Sequence, residues 1–110
     1  MTPHQRLASL IHKAMCPIFG VTEDELVKKD GTTCRSTARV ADARAASIFL
    51  QRTLDPSATN RMIANSIGLS KSGGYAHARR RAEDLLETSP DFREKMDAVW
   101  ARMGIDKPRP

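Results

Sequence analysis

The length of 110 residues predicts one compact domain over 1–105, followed by a frayed tail over 106–110. The composition, with 40% hydrophobic and 28% charged residues, excludes a disordered or fibrous chain. The chain holds 18 Lys and Arg against 13 Asp and Glu, and the resulting net charge of +5 favours an anionic partner. Two cysteines are too few for a disulfide framework. The sequence shows neither a secretory leader nor an apolar run long enough to cross a bilayer, so we expect a cytoplasmic protein without a membrane partner.

The spacing of the apolar residues indicates helices, and no segment shows the alternation typical of a strand. The predicted helices span about 3–19, 22–29, 36–54, 58–67, 70–87 and 89–103. The side chains expected in the core are Leu7, Leu10, Ile11, Ala14, Met15, Ile18, Val40, Ala43, Ser47, Leu50, Leu54, Met62, Ile63, Ile67, Tyr75, Ala78, Ala82, Leu85, Phe92, Met96, Val99, Trp100 and Met103. The fold class that follows is all-α, a compact bundle of about six helices.

Local signals set the ends of the first two predicted helices. Thr2 is suited to cap a helix whose first residue is Pro3. Pro17 lacks the amide hydrogen that a helix interior requires, so the first helix should bend or stop there. Thr22 and Glu25 have the spacing of a capping box, which predicts a second, short helix.

Turn-forming residues separate the later helices. Residues 55–57 (Asp-Pro-Ser) should form a turn, with Ser57 as the cap of the next helix. Gly68 is suited to the left-handed conformation that follows a helix. Ser70 or Ser72 then caps the fifth helix, and Ser89, followed by a proline, begins the last one.

The positive charge is concentrated in the middle of the chain. Residues 35–81 hold nine basic and two acidic residues, whereas residues 1–34 are balanced and residues 82–110 are net acidic. Eight of the nine cations are arginines, whose forked donors suit phosphate better than lysine does. This concentration favours a nucleic-acid partner, and the alternative is a solvated helix face.

The predicted helices at about 58–67 and 70–87, joined by a turn containing Gly68, have the pattern of a helix-turn-helix. In that motif the start of the second helix faces base edges in the major groove, and Lys71 and Ser72 can donate hydrogen bonds there. Gly73 and Gly74 each cost a helix about 1 kcal/mol relative to alanine. Two glycines at this point indicate either a close approach of the backbone to a ligand or a late helix start, and an ordinary bundle corner is the alternative to the motif.

Several segments, in order, resemble the C-terminal DNA-binding domain of the bacterial replication initiator DnaA. Residues 19–26 (FGVTEDEL) are similar to the family's "FGV-xx-xDL" opening, and residues 40–50 (VADARAASIFL) to its "V-x-x-R-x-x-A-x-x-L" basic helix. Residues 63–68 and 75–80 (YAHARR) resemble its "EIG-xx-FGG" and "TV-x-HA-x-[RK]" segments. The resemblance covers about residues 11–92.

This resemblance implies a helix-turn-helix that binds double-stranded DNA. It matches Arg44 to a family arginine that contacts the DNA backbone, places Arg52 at a basic position of the same helix, and matches residues 35–39 to a loop that enters the minor groove. The family's base-reading run, Arg-Asp-His-Thr-Thr, is replaced here by Ser-Lys-Ser-Gly-Gly at 70–74. The chain also lacks the phosphate-binding loop of the initiator's ATPase domain.

Other chemistry has weaker signals. The three histidines, His4, His12 and His77, do not have metal-ligand spacing with either cysteine, so we expect no bound metal or other cofactor. No nucleophilic side chain stands beside a base in the sequence, so we do not expect the protein to be an enzyme. His77 either contacts phosphate or is a partly buried helix residue. Tyr75 belongs either to the core or to a base-stacking surface.

The function that these patterns predict is double-stranded DNA binding by a small transcription or replication regulator. The expected DNA-binding residues are Arg35, Arg39, Arg44, Arg52, Ser70, Lys71, Ser72, Gly73, Gly74, His77, Arg79 and Arg80. The alternative is a protein-interaction module, or an antagonist of the replication or transcription machinery, that has lost base reading.

Overall fold

The computed structural model describes residues 2–27, 38–68 and 72–105. Within these ranges it contains six α-helices and no strand. The helices are α1 (Pro3–Phe19), α2 (Glu23–Leu26), α3 (Ala38–Leu54), α4 (Asn60–Ser66), α5 (Ser72–Thr88) and α6 (Pro90–Met103). The prediction of an all-α bundle of about six helices is therefore confirmed. The predicted tail at 106–110 lies outside the described residues.

Helix α1 begins and ends where the sequence predicts. Thr2 caps it reciprocally: Thr2 Oγ1 accepts from the Gln5 amide at 3.2 Å, and Gln5 Oε1 accepts from the Thr2 amide at 2.8 Å. Pro17 lies in the last turn, and the helix ends two residues later, with Gly20 in the left-handed conformation at φ 68°.

Helix α2 begins as predicted but is shorter. Thr22 and Glu25 form the expected capping box, with both side-chain-to-amide distances at 3.1 Å. The helix ends at Leu26, because Val27 is already extended at φ −87° and ψ 114°. The expectation that it continues to about residue 29 is wrong, and one physical reason is that Arg44 binds the carbonyl oxygen of Leu26, as described below.

Helix α4 begins later than expected, so the prediction of a cap at Ser57 is wrong. Ser57 Oγ donates to Asp55 Oδ1 at 2.7 Å instead. Ala58 is buried and Thr59 caps the helix, its hydroxyl oxygen accepting from the Met62 amide at 3.1 Å. The predicted stop of α3 at Leu54 is confirmed.

Helix α3 lies at the centre of the bundle. It packs against α1, α2, α4 and α5, while α6 closes the other side by packing on α1 and α5. Phe19 of α1 meets Phe92 of α6 edge to face, with ring centroids 5.8 Å apart. The predicted core places of Phe92 and Trp100 are confirmed.

Most of the predicted core is buried, with two exceptions. The fully buried members are Ile11, Ala14, Met15, Val40, Ala43, Ser47, Leu50, Ile63, Ile67, Tyr75, Ala82, Phe92, Met96, Val99 and Trp100, and the half-buried ones are Leu7, Ile18, Leu54, Ala78, Leu85 and Met103. Leu10 is 60% exposed and Met62 is 40% exposed, which corrects the prediction for both. The buried face of α1 is rotated relative to the predicted one and includes His4 and His12, which a prediction from apolar residues alone leaves out.

Candidate nucleic-acid interface

The two helices predicted at 58–87 are present as α4 and α5, which pack against each other and leave residues 67–71 between them. Gly68 adopts the left-handed conformation expected of it, at φ 73°. Ile63, Ile67 and Tyr75 anchor this pair in the core. The predicted order of short helix, glycine turn and second helix therefore holds.

Both helices of this pair carry exposed cationic side chains. Arg61 on α4 and Arg80 on α5 are exposed, and neither has a hydrogen bond or ion pair with another described residue. Arg79 pairs with Glu83 at 3.1 Å, but both side chains are more than half exposed. Since an exposed i,i+4 pair is worth only about 0.5 kcal/mol, Arg79 can exchange Glu83 for a phosphate.

His77 and Arg80 share an open depression of about 340 Å³ along α5. The depression is also lined by Arg81, Asp84 and Leu85, which are spaced to lie on one side of the helix. Arg81 Nη2 is held 2.8 Å from Asp42 Oδ1 on α3, so it joins two helices. The basic side chains left to face solvent there are His77 and Arg80. Because His77 is exposed, its reading as a partly buried helix residue is wrong.

Arg44, one of the expected DNA contacts, binds its own chain. Its Nε donates to the carbonyl oxygen of Leu26 and its Nη2 to that of Glu25, both at 2.9 Å. The side chain is half-buried and holds the end of α2 against α3. A phosphate contact by these two donors would release the end of α2.

Arg52 is held by its own chain more extensively still. Its Nε donates to the hydroxyl of Tyr75 at 3.0 Å, and its Nη1 donates to the carbonyl oxygens of Pro56 and Ala58 at 3.2 and 2.6 Å. Its Nη2 donates to Asn60 Oδ1. Four of the five N–H groups of the Arg52 guanidinium thus have acceptors inside the domain, and one is left for a further contact. The geometry gives Arg52 a structural role that its charge alone does not indicate.

The start of α5 is described only in part. Three expected contacts lie outside the described residues, namely Ser70, Lys71 and, in the other expected contact segment, Arg35, and the side chain of Ser72 is not described. Helix α5 begins at Ser72 and includes both Gly73 and Gly74, so a late start caused by the glycines is wrong.

Two further expected or possible contacts are placed by the structure. Arg39 is exposed in the first turn of α3, so the expectation that it lies in a loop, as in the matched segment of the family, is wrong for this residue. Tyr75 is only 3% exposed and accepts from Arg52, so it belongs to the core, and its alternative reading as a base-stacking residue is wrong.

Sequence reasoning missed Arg61 as a candidate contact. It is the only charged residue of α4, and in a helix-turn-helix the first helix crosses the DNA backbone. The signal was therefore present in the sequence, in the lone cation of an otherwise uncharged helix.

Over residues 2–27, 38–68 and 72–105, no three His, Cys, Asp or Glu side chains lie together as metal ligands would. Among the same residues, no helix has the length and apolar character needed to cross a bilayer. Comparisons with protein-family models, with curated proteins and with solved structures gave no match.

Proposed function

We propose that this chain binds double-stranded DNA through α4 and α5 and acts as a small regulator of transcription or replication. The observation that carries the proposal is the exposure of Arg61, His77 and Arg80 on one helical pair, without partners among the described residues. The segment 60–81 holds five basic residues and no acidic one, so its net charge of +5 equals that of the whole chain. A surface with this balance attracts a polyanion.

In the proposed complex, the first turn of α5 enters the major groove. Gly73 and Gly74 have no side chain to hold the backbone away from the bases, while Lys71 and Ser72 supply donors for base acceptors. Arg61 contacts the phosphates that α4 crosses, and Arg80 contacts those beside α5. Arg39 and Arg79 are further candidate phosphate contacts on the exposed surface.

The resemblance to the initiator's DNA-binding domain supports this orientation, because it aligns the same two helices with the family's helix-turn-helix. The replacement of the family's base-reading run at 70–74 implies a target sequence different from the initiator's own DNA box. Arg44 and Arg52, which the resemblance assigns to the DNA backbone, are left out of the proposed contacts because their donors bind carbonyl, amide and hydroxyl oxygens of this chain. The cytoplasmic location stays part of the proposal.

The test is a selection of duplexes from a random pool, followed by gel shifts at two salt concentrations. We expect enrichment of a preferred sequence and an affinity that falls steeply with salt, because each neutralised phosphate releases counterions. Arg6→Ala, on α1, is the matched control for loss of one positive charge, and it should bind like the wild type. Failure to enrich any duplex at low salt would refute the proposal.

The second candidate is a protein-interaction module that antagonises the replication or transcription machinery. The internal hydrogen bonds of Arg44 and Arg52 favour it, since two of the expected backbone contacts are engaged within the domain. It predicts no salt-sensitive affinity for any selected duplex and a stable complex with a protein of that machinery. The duplex selection therefore separates the two candidates.

A further inference from the structure

One arginine of α3 contacts the α3–α4 connection and both helices of the α4–α5 pair. From α3, the Arg52 guanidinium reaches the connection at 56–58, the first residue of α4 (Asn60) and the Tyr75 hydroxyl on α5. A guanidinium is planar and its donors point in fixed directions. These acceptors can all be satisfied at once only when α3, α4 and α5 hold one relative arrangement.

Tyr75 lies at the point of α5 where such an anchor has the greatest effect. It directly follows Gly73 and Gly74, and each glycine costs a helix about 1 kcal/mol relative to alanine, so the first turn has weak intrinsic helicity. The Tyr75 ring is 3% exposed and belongs to the hydrophobic core. A buried side chain with a directed hydrogen bond therefore holds the end of α5 that has the least local support.

We propose that Arg52 and Tyr75 are positioning residues that fix the first turn of α5 relative to α4, and thereby orient the turn that enters the major groove. The role in DNA binding rests on the proposed function, whereas the effect on the first turn of α5 does not. The hydroxyl of Tyr75 is the contact that couples the two helices through Arg52.

Two conservative variants separate this role from general stability. Tyr75→Phe removes only the hydroxyl and keeps the buried ring, and Arg52→Lys keeps the positive charge but loses the planar fork. Amide hydrogen exchange of the full chain without DNA is measured by NMR at residues 74–78 and, as an internal reference, on α6. Arg93→Lys is the matched control, because Arg93 donates to the carbonyl oxygens of Leu86 and Glu87 at the opposite end of α5.

We expect exchange at 74–78 to be about fivefold faster in Tyr75→Phe, as loss of one hydrogen bond implies, with α6 unchanged. Arg52→Lys should give the same or a larger effect at the same amides, and Arg93→Lys should not affect them. Unchanged exchange at 74–78 in Tyr75→Phe would overturn the proposal even if Arg52→Lys fails to fold.

The DNA arm uses the preferred duplex and a scrambled duplex. Tyr75→Phe should lower the ratio of the two affinities about fivefold while leaving the slope of log affinity against log salt unchanged, because no phosphate contact is lost. If Arg52 itself contacted phosphate, Arg52→Ala would instead reduce that slope by about one, and this result would overturn its positioning role. If the wild type binds no duplex, the proposed function and the role in DNA binding both fail, and the exchange result alone decides whether the pair fixes α5.

Discussion

His12 Nε2 lies 2.8 Å from Ser47 Oγ inside the core, where α1 packs against α3. Ser47 Oγ also accepts from Gln51 Nε2 at 2.9 Å, and its hydroxyl can donate to His12 Nε2 when that nitrogen carries no proton. His12 is only 6% exposed, and this burial lowers its pKa to about 4. The lowered pKa indicates a neutral His12 in the folded protein at pH 7.

The domain should lose stability in mild acid because of His12. In the unfolded chain a histidine binds a proton with a pKa of about 6.5, whereas in the folded protein this pKa is about 4. As the pH falls from about 6.5 to 4, the unfolded state takes up the proton first, and the free energy of unfolding should decrease by on the order of 3 kcal/mol. Urea unfolding at pH 7 and pH 4.5 measures this decrease.

The control for this pH dependence is the exposed histidine of α5. His12→Asn should flatten the decrease between pH 6.5 and 4.5, whereas His77→Asn should leave it unchanged. Asp55 does not interfere, because its pKa is lowered from 3.8, first by the Ser57 hydroxyl and then by His4, so its stabilisation is lost only at still lower pH. An equally steep decrease in His12→Asn would contradict the assignment.

Gln51 should be among the least replaceable polar residues of the domain. It is completely buried, and its amide nitrogen donates to Ser47 and Ser66 at 2.9 and 2.8 Å, while its oxygen lies 2.9 Å from His4 Nε2. Gln51→Leu would leave these partners unsatisfied in the core, so we expect a loss of about 2 to 3 kcal/mol in the free energy of unfolding.

Urea unfolding at pH 7 measures the effect of Gln51→Leu, and the other glutamine of the chain provides the control. Gln5→Ala removes one half of the exposed capping box of α1 and should cost about 1 kcal/mol or less. Equal losses for the two variants would show that the buried hydrogen bonds of Gln51 contribute no more than a surface cap.

The ends of several helices were predictable because the signals are local. The Thr2–Gln5 and Thr22–Glu25 pairs act within one helical turn, and Pro17 acts through its own missing amide. The buried face of α1 was not predictable in the same way. Its burial of His12 depends on Ser47, 35 positions later, whose hydroxyl makes a polar side chain acceptable in the core.

For the candidate site, the sequence predicted the helical pair and its exposed basic residues better than it predicted the environment of each arginine. The concentration of arginine in 35–81 and the glycine turn at residue 68 correctly locate the helical pair and several exposed cations. Arg44 and Arg52 show why individual roles were not predictable. Whether a guanidinium faces solvent depends on which carbonyl and hydroxyl oxygens of distant segments reach it, and neither composition nor spacing contains that information.

If the chain binds DNA as proposed, single charge removals on α4 and α5 should weaken that binding by loss of phosphate contacts. Arg61→Ala and Arg80→Ala should each lower the affinity for all duplexes alike and reduce the slope of log affinity against log salt by about one. Neither residue has a partner among the described residues, so the free energy of unfolding should change by less than about 0.5 kcal/mol. Fluorescence anisotropy over a salt series measures the affinity and the slope of log affinity against log salt. A slope equal to that of the wild type in both variants would remove these two arginines from the interface.

Gly74→Ala should move stability and DNA binding in opposite directions. Gly74 lies in the first turn of α5 and is not among the described glycines with positive φ, so alanine fits its backbone conformation and should stabilise the helix by up to about 1 kcal/mol. In the proposed complex the added methyl group holds the backbone away from the base edges, and the affinity for the preferred duplex should fall while the salt slope stays unchanged. Thermal unfolding and anisotropy titration of the same variant test both effects. A stabilised protein that binds DNA as tightly as the wild type would show that the glycines serve no close approach to DNA.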